Sequence, residues 1–128
     1  MFTHPHLSII DDDQSVRTGL GSLVRSLGMR VRLFASAEEF LAAGGTAGCD
    51  LVVTDVQMPG MGGLALLELL QEGGSTVPAI VVTAFPEPAA RQRAAAAGAC
   101  AFLAKPFDGD AIIHAIQQAL SGAAGATG

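Results

Sequence analysis

Four short apolar runs divide the chain, and each ends at or just before a polar or charged residue. They occupy residues 7–10, 51–54, 78–83 and 101–104. Their near-continuous apolar character is typical of strands covered on both faces, as in a parallel sheet. A further segment, residues 29–34, alternates apolar side chains with two arginines. This alternation predicts an outer strand with one face toward water.

Between these strands the apolar spacing changes to that of amphipathic helices. A stripe that begins at Val16 predicts a first helix from Ser15, which Gly28 can close. Ser36 followed by Glu39 matches a capping box and predicts the start of a second helix. Three more helices are predicted over residues 64–72, 88–97 and 108–120. The fourth helix is rich in alanine, so we expect it to pack loosely enough to shift.

Five strand patterns alternate with five helix patterns, which predicts an α/β fold with a doubly wound parallel sheet. The length of 128 residues fits one domain, expected over residues 7–120. Residues 1–6, with His4 and His6, are expected to be a disordered tail, and residues 121–128 a linker. Such sheets bind ligands beyond the carboxyl ends of their strands, so a site is expected at that edge.

The charge balance narrows the class of partner. Twelve acidic residues against seven basic ones give a net charge of -5, which argues against a nucleic-acid or anionic-membrane surface on this chain. No apolar run is long enough to span a bilayer, and no signal peptide is evident. We therefore expect a cytoplasmic domain whose partner is a protein or a small molecule.

Five chemically active side chains fall at predicted carboxyl ends of strands. Because parallel strands end at one edge of the sheet, these side chains are expected to meet there: Asp11, Asp12, Asp55, Thr83 and Lys105. Clustered carboxylates repel one another by about 1 kcal/mol per pair in water and about 4 at a partly shielded site, so they need a counter-charge. Lys105 is the only lysine of the chain. An all-oxygen site without histidine or cysteine also suits Mg²⁺.

A carboxylate at such an edge can act as the nucleophile in phosphoryl transfer. Asp55 is then the candidate acceptor, with the metal and Lys105 neutralising charge and Thr83 donating to a phosphoryl oxygen. Serine or cysteine nucleophiles paired with histidine are disfavoured. Two of the three histidines lie in the predicted tail, and His114 lies inside the last helix.

Four separated motifs carry a family resemblance. They are IIDDD near the start, LVVTDVQMPGMGG in the middle, AIVVTA, and AFLAKPF near the end. In order and spacing the chain resembles, over residues 7–120, the receiver domain of bacterial two-component response regulators. It looks most like receivers that precede a helix-turn-helix output domain. The resemblance implies a flavodoxin-like receiver fold with strand order 2-1-3-4-5.

The resemblance also implies roles for single residues. Asp55 matches the phosphoacceptor, Asp12 the direct Mg²⁺ ligand, and Asp11 the acid that acts through metal-bound water. The main-chain carbonyl of Gln57 would complete the metal ligands. The remaining matches are Lys105 beside the phosphoryl group, Thr83 and Phe102 as the conformational switch, and a cis peptide bond before Pro106.

The partners follow from the same resemblance. A sensor histidine kinase would donate the phosphoryl group, and phosphorylation would promote a homodimer through helix 4 and strand 5. DNA would be contacted only by an output domain that this sequence does not include. The Phe85-Pro86-Glu87-Pro88 loop is unusual for the family, so we hypothesise a restricted switch or a displaced fourth helix.

Two alternatives remain open at this point. Aspartyl-phosphate phosphatases and phosphotransferases use similar groups, but they usually carry a second aspartate two residues after the nucleophile. This chain has Gln57 there, which disfavours an enzyme. The other alternative is a receiver-like binding module that works without phosphorylation. It is disfavoured because the acids, Thr83 and Lys105 are all present.

Overall fold

The structure is a computed structural model, which describes residues 4–125. Strands and helices alternate along the whole described chain, as predicted. They are β1 (His6–Ile10), α1 (Gln14–Ser26), β2 (Arg30–Phe34), α2 (Ala37–Ala42), β3 (Leu51–Asp55), α3 (Gly63–Glu72), β4 (Ala79–Thr83), α4 (Pro88–Ala96), β5 (Ala101–Ala104) and α5 (Gly109–Gly125).

All five strands are parallel and form one sheet in the order β2-β1-β3-β4-β5. This confirms the predicted doubly wound α/β fold with order 2-1-3-4-5. The predicted outer strand β2 lies at one edge, where Arg30 and Arg32 are exposed. In β3 and β4, by contrast, every residue is buried. The alternating segment thus forms an edge strand, and the apolar runs of β1, β3 and β4 lie inside the sheet. The fourth apolar run, β5, lies at the other edge and has no fully buried residue, so the expectation that it is covered on both faces was wrong.

Two hydrophobic clusters cover the two faces of the sheet. Val52 belongs to the cluster that packs with helices α2, α3 and α4, and its neighbour Val53 belongs to the cluster that packs with α1 and α5. This alternation is the two-residue period of a strand. Phe40 is the largest fully buried side chain, and its ring meets Phe34 edge to face with centroids 5.6 Å apart.

Side chains cap the first two helices, and the predicted capping box of α2 forms only in part. The Asp13 side chain caps α1 by accepting the N–H groups of Ser15 (2.9 Å) and Val16 (3.3 Å). Ser36 caps α2 by accepting the Glu39 N–H at 3.1 Å, as the capping box predicts. The Glu39 carboxylate, however, accepts the Ala35 N–H at 3.3 Å. A complete capping box would place it on the N–H of the cap residue itself.

Both predicted chain ends need correction. His6 does not belong to the predicted tail, because it pairs with Arg30 in β1 and its N–H donates to the Asp50 carboxylate at 2.8 Å. The predicted linker is helical as far as Gly125. Alanine-rich sequence favours continuation of a helix, which the assignment of a linker from composition overlooked. Of the other tail and linker residues, 4 and 5 belong to no helix or strand, and 1–3 and 126–128 lie outside the described residues.

Gly63 allows α3 to begin directly against the end of β3. Its N–H donates to the Val56 carbonyl at 3.0 Å. A Cβ atom at Gly63 would overlap the carbonyl oxygen of Asp55 and would also lie 3.0 Å from Thr54 Oγ1. Backbone atoms cannot move aside as a flexible side chain can. The absence of a side chain at Gly63 therefore helps to fix the backbone of Asp55.

We predict that Gly63→Ala lowers the free energy of unfolding by about 1 to 3 kcal/mol, because the new methyl group forces β3 and α3 apart. Urea unfolding followed by circular dichroism measures this change. The matched control is Gly19→Ala in α1, where a Cβ atom meets nothing within 4 Å. The control should raise stability by up to about 1 kcal/mol. Equal effects of the two substitutions would contradict the prediction.

Candidate functional site

The structure brings the predicted side chains together at the carboxyl edge of the sheet. Asp11 and Asp12 follow β1, Asp55 ends β3, Thr83 ends β4, and Lys105 follows β5. Asp11 and Thr83 are each 1% exposed and Asp55 is 6% exposed, whereas Asp12 is open to solvent. One acid therefore faces water while the others are enclosed by the strand ends.

The three acids form a cluster of oxygen ligands. One carboxylate oxygen each from Asp11, Asp12 and Asp55 lie within 4.8 Å of one another. Hard divalent cations prefer such oxygen sets over nitrogen or sulfur ligands. The cluster is therefore suited to a divalent metal ion, as the sequence predicts.

Lys105 joins two of these acids. Its Nζ lies 2.8 Å from Asp11 Oδ2 and 3.4 Å from Asp55 Oδ2. Burial alone would lower the pKa of Lys105, but the contacts with Asp11 and Asp55 outweigh it and the pKa is raised. The ammonium group is thus held charged between the two acids. The lone lysine supplies the counter-charge that the sequence analysis required.

The pKa of Asp55 is raised above its ordinary value. Burial is the largest cause and the negative charge of Asp11 is the next. Lys105 and the N–H of Val56 act in the opposite direction, but they do not cancel these two effects. The ionised Asp55 carboxylate is therefore less stable here than in water, and a cation or a covalent change at its oxygen relieves part of that cost.

Thr83 links the ends of β4 and β5. Its hydroxyl oxygen accepts the N–H of Phe85 at 3.0 Å, and its carbonyl accepts the N–H of Lys105 at 2.7 Å. The backbone of Thr83 thus fixes the chain that carries Lys105. Its hydroxyl holds the first turn of the loop that leads to α4.

Comparison with known proteins shows which family the chain belongs to. Residues 7–117 match the family model described as the response regulator receiver domain. The chain belongs to this family. It is 42% identical over 112 residues to the transcriptional regulatory protein FixJ of Azorhizobium caulinodans, covering 88% of this chain and 53% of that protein. It is 40% identical over 112 residues to the response regulator protein TmoT of Ectopseudomonas mendocina, covering 88% and 51%.

Solved structures give the same result for the fold. The crystal structure of FixJ-N is 34% identical with a TM-score of 0.83, covering 94% of this chain and 96% of that one. The response regulator StyR is 38% identical with a TM-score of 0.86, covering 98% of this chain and 63% of that one. The receiver spans about half the length of the curated relatives it matches.

Helix α4 of this receiver is held mainly by polar contacts. Within α4, Ala94 alone is buried. Arg93 forms two hydrogen bonds with Glu68 of α3, at 2.6 and 2.8 Å, and the Gln71 amide donates to the Ala96 carbonyl at 3.1 Å. Exposed ion pairs contribute little stability, so these contacts orient the helix more than they anchor it. The expectation of weak apolar packing in α4 agrees with this geometry.

Phe102 packs partly against the core, and its ring is covered from outside by α4. Arg91 Cζ lies 4.6 Å from the ring centroid, within the range of a cation–π contact. Between Thr83 and α4, Phe85 is 57% exposed and Pro88 begins the helix. Proline is favoured at a first helical position because its missing N–H has no partner there. The hypothesis of a restricted switch stays a prediction.

Two further groups at the site were not predicted from the sequence. The Arg17 guanidinium donates to the Asp11 carbonyl at 2.6 Å, and the Glu38 carboxylate accepts the N–H of Met61 at 2.8 Å. The latter bond lowers the pKa of Glu38 and ties α2 to the loop after Asp55. Neither residue belongs to a chemical motif by itself. Their importance depends on which backbone group they meet.

The remaining predicted positions lie where the topology places them. Gln57 is exposed in the loop after β3, and the Lys105-Pro106 peptide bond is cis, as predicted.

Beside Lys105, an apolar groove of about 500 Å³ runs between α1 and the segment after β5. No helix within residues 4–125 is long and apolar enough to cross a membrane.

We predict that Asp55→Asn raises the free energy of unfolding at pH 7 without divalent cations, by about 1 kcal/mol. The reason is that the substitution removes one of two neighbouring buried negative charges, while the ion pair between Lys105 and Asp11 remains. An acid whose pKa is raised on folding costs stability as pH rises above its ordinary value of 3.8, so the gain should vanish in strong acid.

Thermal unfolding of both proteins between pH 3 and 7 measures this effect. Asp50→Asn is the matched control, because Asp50 immediately precedes β3 and is exposed. It should give no gain in stability. A Tm of the Asp55→Asn variant that is equal to or below that of the wild type at pH 7 would refute the account of the cluster.

Proposed function

We propose that this receiver accepts a phosphoryl group on Asp55 from the phosphohistidine of a sensor kinase, in a Mg²⁺-dependent reaction. The observation that carries the proposal is the position of the Asp55 carboxylate. It lies in a cluster of three acids and within 3.4 Å of the Lys105 ammonium, in a chain of the receiver family. The structured region, proposed as one domain over residues 7–120, would work as a phosphorylation-controlled switch and not as an enzyme acting on a separate substrate.

The donor set fits Mg²⁺. Asp12, Asp55 and the Gln57 carbonyl would bind it directly, and Asp11 would act largely through metal-bound water. The three acids already cluster in the structure. A bound Mg²⁺ supplies positive charge that offsets the acids and the phosphoryl oxygens. It retains water molecules readily, and an exposed Asp12 leaves the cluster open to solvent on that side.

The chemistry of this chain's own residues follows from their placement. A carboxylate oxygen of Asp55 forms a bond to phosphorus while the phosphorus–nitrogen bond of the donor phosphohistidine breaks, and the departing imidazole nitrogen takes up a proton. Lys105 neutralises charge on the transferred group, and Thr83 donates its hydroxyl to a phosphoryl oxygen. Hydrolysis of the acyl phosphate by water would return the carboxylate and release inorganic phosphate.

The switch would run from Thr83 to α4. To donate to the phosphoryl group, the Thr83 hydroxyl must move toward Asp55, which alters its bond with the Phe85 N–H. The loop that follows Phe85 leads into α4, whose Arg91 covers Phe102. Movement of Phe102 and α4 together would then change the exposed surface of the receiver.

The output of the whole protein is also a proposal. Curated relatives that extend beyond the matched region include a transcriptional regulatory protein, FixJ. We propose that this receiver controls transcription in the cytoplasm through an output domain, and that it does not itself contact nucleic acid or a membrane. Its net charge of -5 favours a protein partner over DNA.

Incubation with Mg²⁺ and a small acyl phosphate tests the acceptor directly. We expect intact mass spectrometry to show one added phosphoryl group in the wild type and in Asp50→Asn, and none in Asp55→Asn. Omission of Mg²⁺ or replacement of Lys105 by methionine should slow labelling by at least about 100-fold, because charge neutralisation is lost.

Two results would count against the acceptor. Labelling that persists in Asp55→Asn would place the phosphoryl group elsewhere. A wild type that binds Mg²⁺ yet takes up no phosphoryl group, and does not respond to beryllium fluoride, would favour a binding module that works without phosphorylation.

We also propose that phosphorylation promotes a homodimer through α4 and β5. Strand β5 ends the sheet order, so its outer edge pairs with no strand among residues 4–125. Helix α4 beside it exposes most of its residues. Light scattering should show a doubling of mass on addition of beryllium fluoride and Mg²⁺ to the wild type, with no change in Asp55→Asn. An unchanged mass in the activated wild type would reject the dimer.

A further inference from the structure

Arg17 makes a short contact with the backbone of the acidic cluster. Its Nη1 donates to the carbonyl oxygen of Asp11 at 2.6 Å, and the residue is partly buried. Arg17 lies in the first turns of α1, where its own N–H donates to the Asp13 carbonyl at 3.0 Å. The side chain therefore reaches back from the helix to the end of β1.

Each oxygen of Asp11 accepts a hydrogen bond from a different group. Oδ1 accepts the Asp13 N–H at 2.9 Å, Oδ2 accepts Lys105 Nζ at 2.8 Å, and the carbonyl accepts Arg17. The Asp11 N–H donates to the Phe34 carbonyl at 3.1 Å. Of these bonds, the one from Arg17 is the bond that acts on the peptide group between Asp11 and Asp12.

The orientation of that peptide group sets the position of the Asp12 Cα atom. Because a peptide unit is planar, the carbonyl of Asp11 and the Cα atom of Asp12 lie in one rigid plane. A bond that fixes the direction of the carbonyl therefore also fixes the direction in which the chain enters Asp12. Asp12 is exposed, so neighbouring side chains do not enclose it as they enclose Asp11.

We propose that Arg17 is a positioning residue for the metal site, which orients the Asp11-Asp12 peptide so that Asp12 faces Asp11 and Asp55. The inference rests on the proposed Mg²⁺ site. It assigns Arg17 no contact with the ion or with the phosphoryl group. Groups that orient metal ligands commonly change metal affinity by 10- to 100-fold when they are removed.

The positive charge of Arg17 predicts the opposite change in Mg²⁺ affinity. The direction of the change on removal of Arg17 therefore tests the proposal. A guanidinium near the cluster repels a divalent cation, so its removal should tighten Mg²⁺ binding if charge alone matters. Loss of the hydrogen bond should weaken binding if position matters. The two effects can be separated with variants of similar length.

Mg²⁺ alone is titrated into the wild type, Arg17→Met and Arg17→Lys, with affinity measured by calorimetry. We expect Arg17→Met to bind about 10-fold more weakly, since it keeps the length of the side chain without a donor. Arg17→Lys, which restores a donor and the charge, should recover affinity to within about 3-fold. The matched control is Arg25→Met at the exposed end of α1, which removes an equal charge and should not weaken binding.

Amide NMR spectra of the metal-free proteins give a second readout. Arg17→Met should shift the Asp12 and Asp13 amide signals while leaving those of β3 and β4 in place, and Arg17→Lys should reverse the shift. These spectra also show whether each variant is folded.

Equal or tighter Mg²⁺ binding by Arg17→Met than by the wild type would overturn the positioning role and leave the proposed function intact. Failure of the wild type itself to bind Mg²⁺ would overturn the proposed metal site and, with it, the role of Arg17.

Discussion

The contact of Lys105 with Asp11 and Asp55 is the interaction on which the site depends. Two buried acids lie side by side, Asp11 directly after β1 and Asp55 at the end of the neighbouring β3, and their like charges repel each other. The ammonium group reaches both, at 2.8 and 3.4 Å, from the segment after β5. One positive charge therefore connects the ends of β1, β3 and β5.

The scaffold around this contact keeps the acids in place through the backbone. Gly63 lets α3 begin against the Asp55 carbonyl, and Thr83 accepts the Lys105 N–H at 2.7 Å. Arg17 and Asp13 hold the Asp11 backbone and side chain from α1. A site that stabilises extra negative charge needs ligands that are oriented before the charge arrives. Here the orientation comes from strand ends and helix starts that pack closely.

Helix α4, unlike the strand ends that carry the acids, is weakly packed. Its apolar anchor is Ala94, and its orientation depends on Arg93 with Glu68 and on Arg91 over Phe102. Such exposed contacts can be exchanged at small cost, whereas the buried strands β3 and β4 cannot move without losing their core. The same fold thus combines closely packed strand ends, which carry the acids, with a helix that is held mainly by exposed polar contacts.

The sequence by itself determined the fold class, the strand order through the family resemblance, and the candidate site from Asp11 to Lys105. The fold class follows from periodicity, and the candidate site follows from the rule that parallel strands end at one edge. The strand order came from the resemblance alone. The predictions for both chain ends were wrong, at His6 and at residues 121–125. Strand pairing and helix continuation depend on neighbours that a local sequence pattern does not reveal.

Only the tertiary structure decided which groups support the site. Arg17, Glu38 and Gly63 act on backbone groups of Asp11, Met61 and Asp55, and a backbone carbonyl or N–H has no sequence signature. The raised pKa of Asp55 likewise depends on burial and on its distance from Asp11. The sequence specifies which chemical groups are present. The contacts that orient those groups form only when segments distant in the sequence pack together.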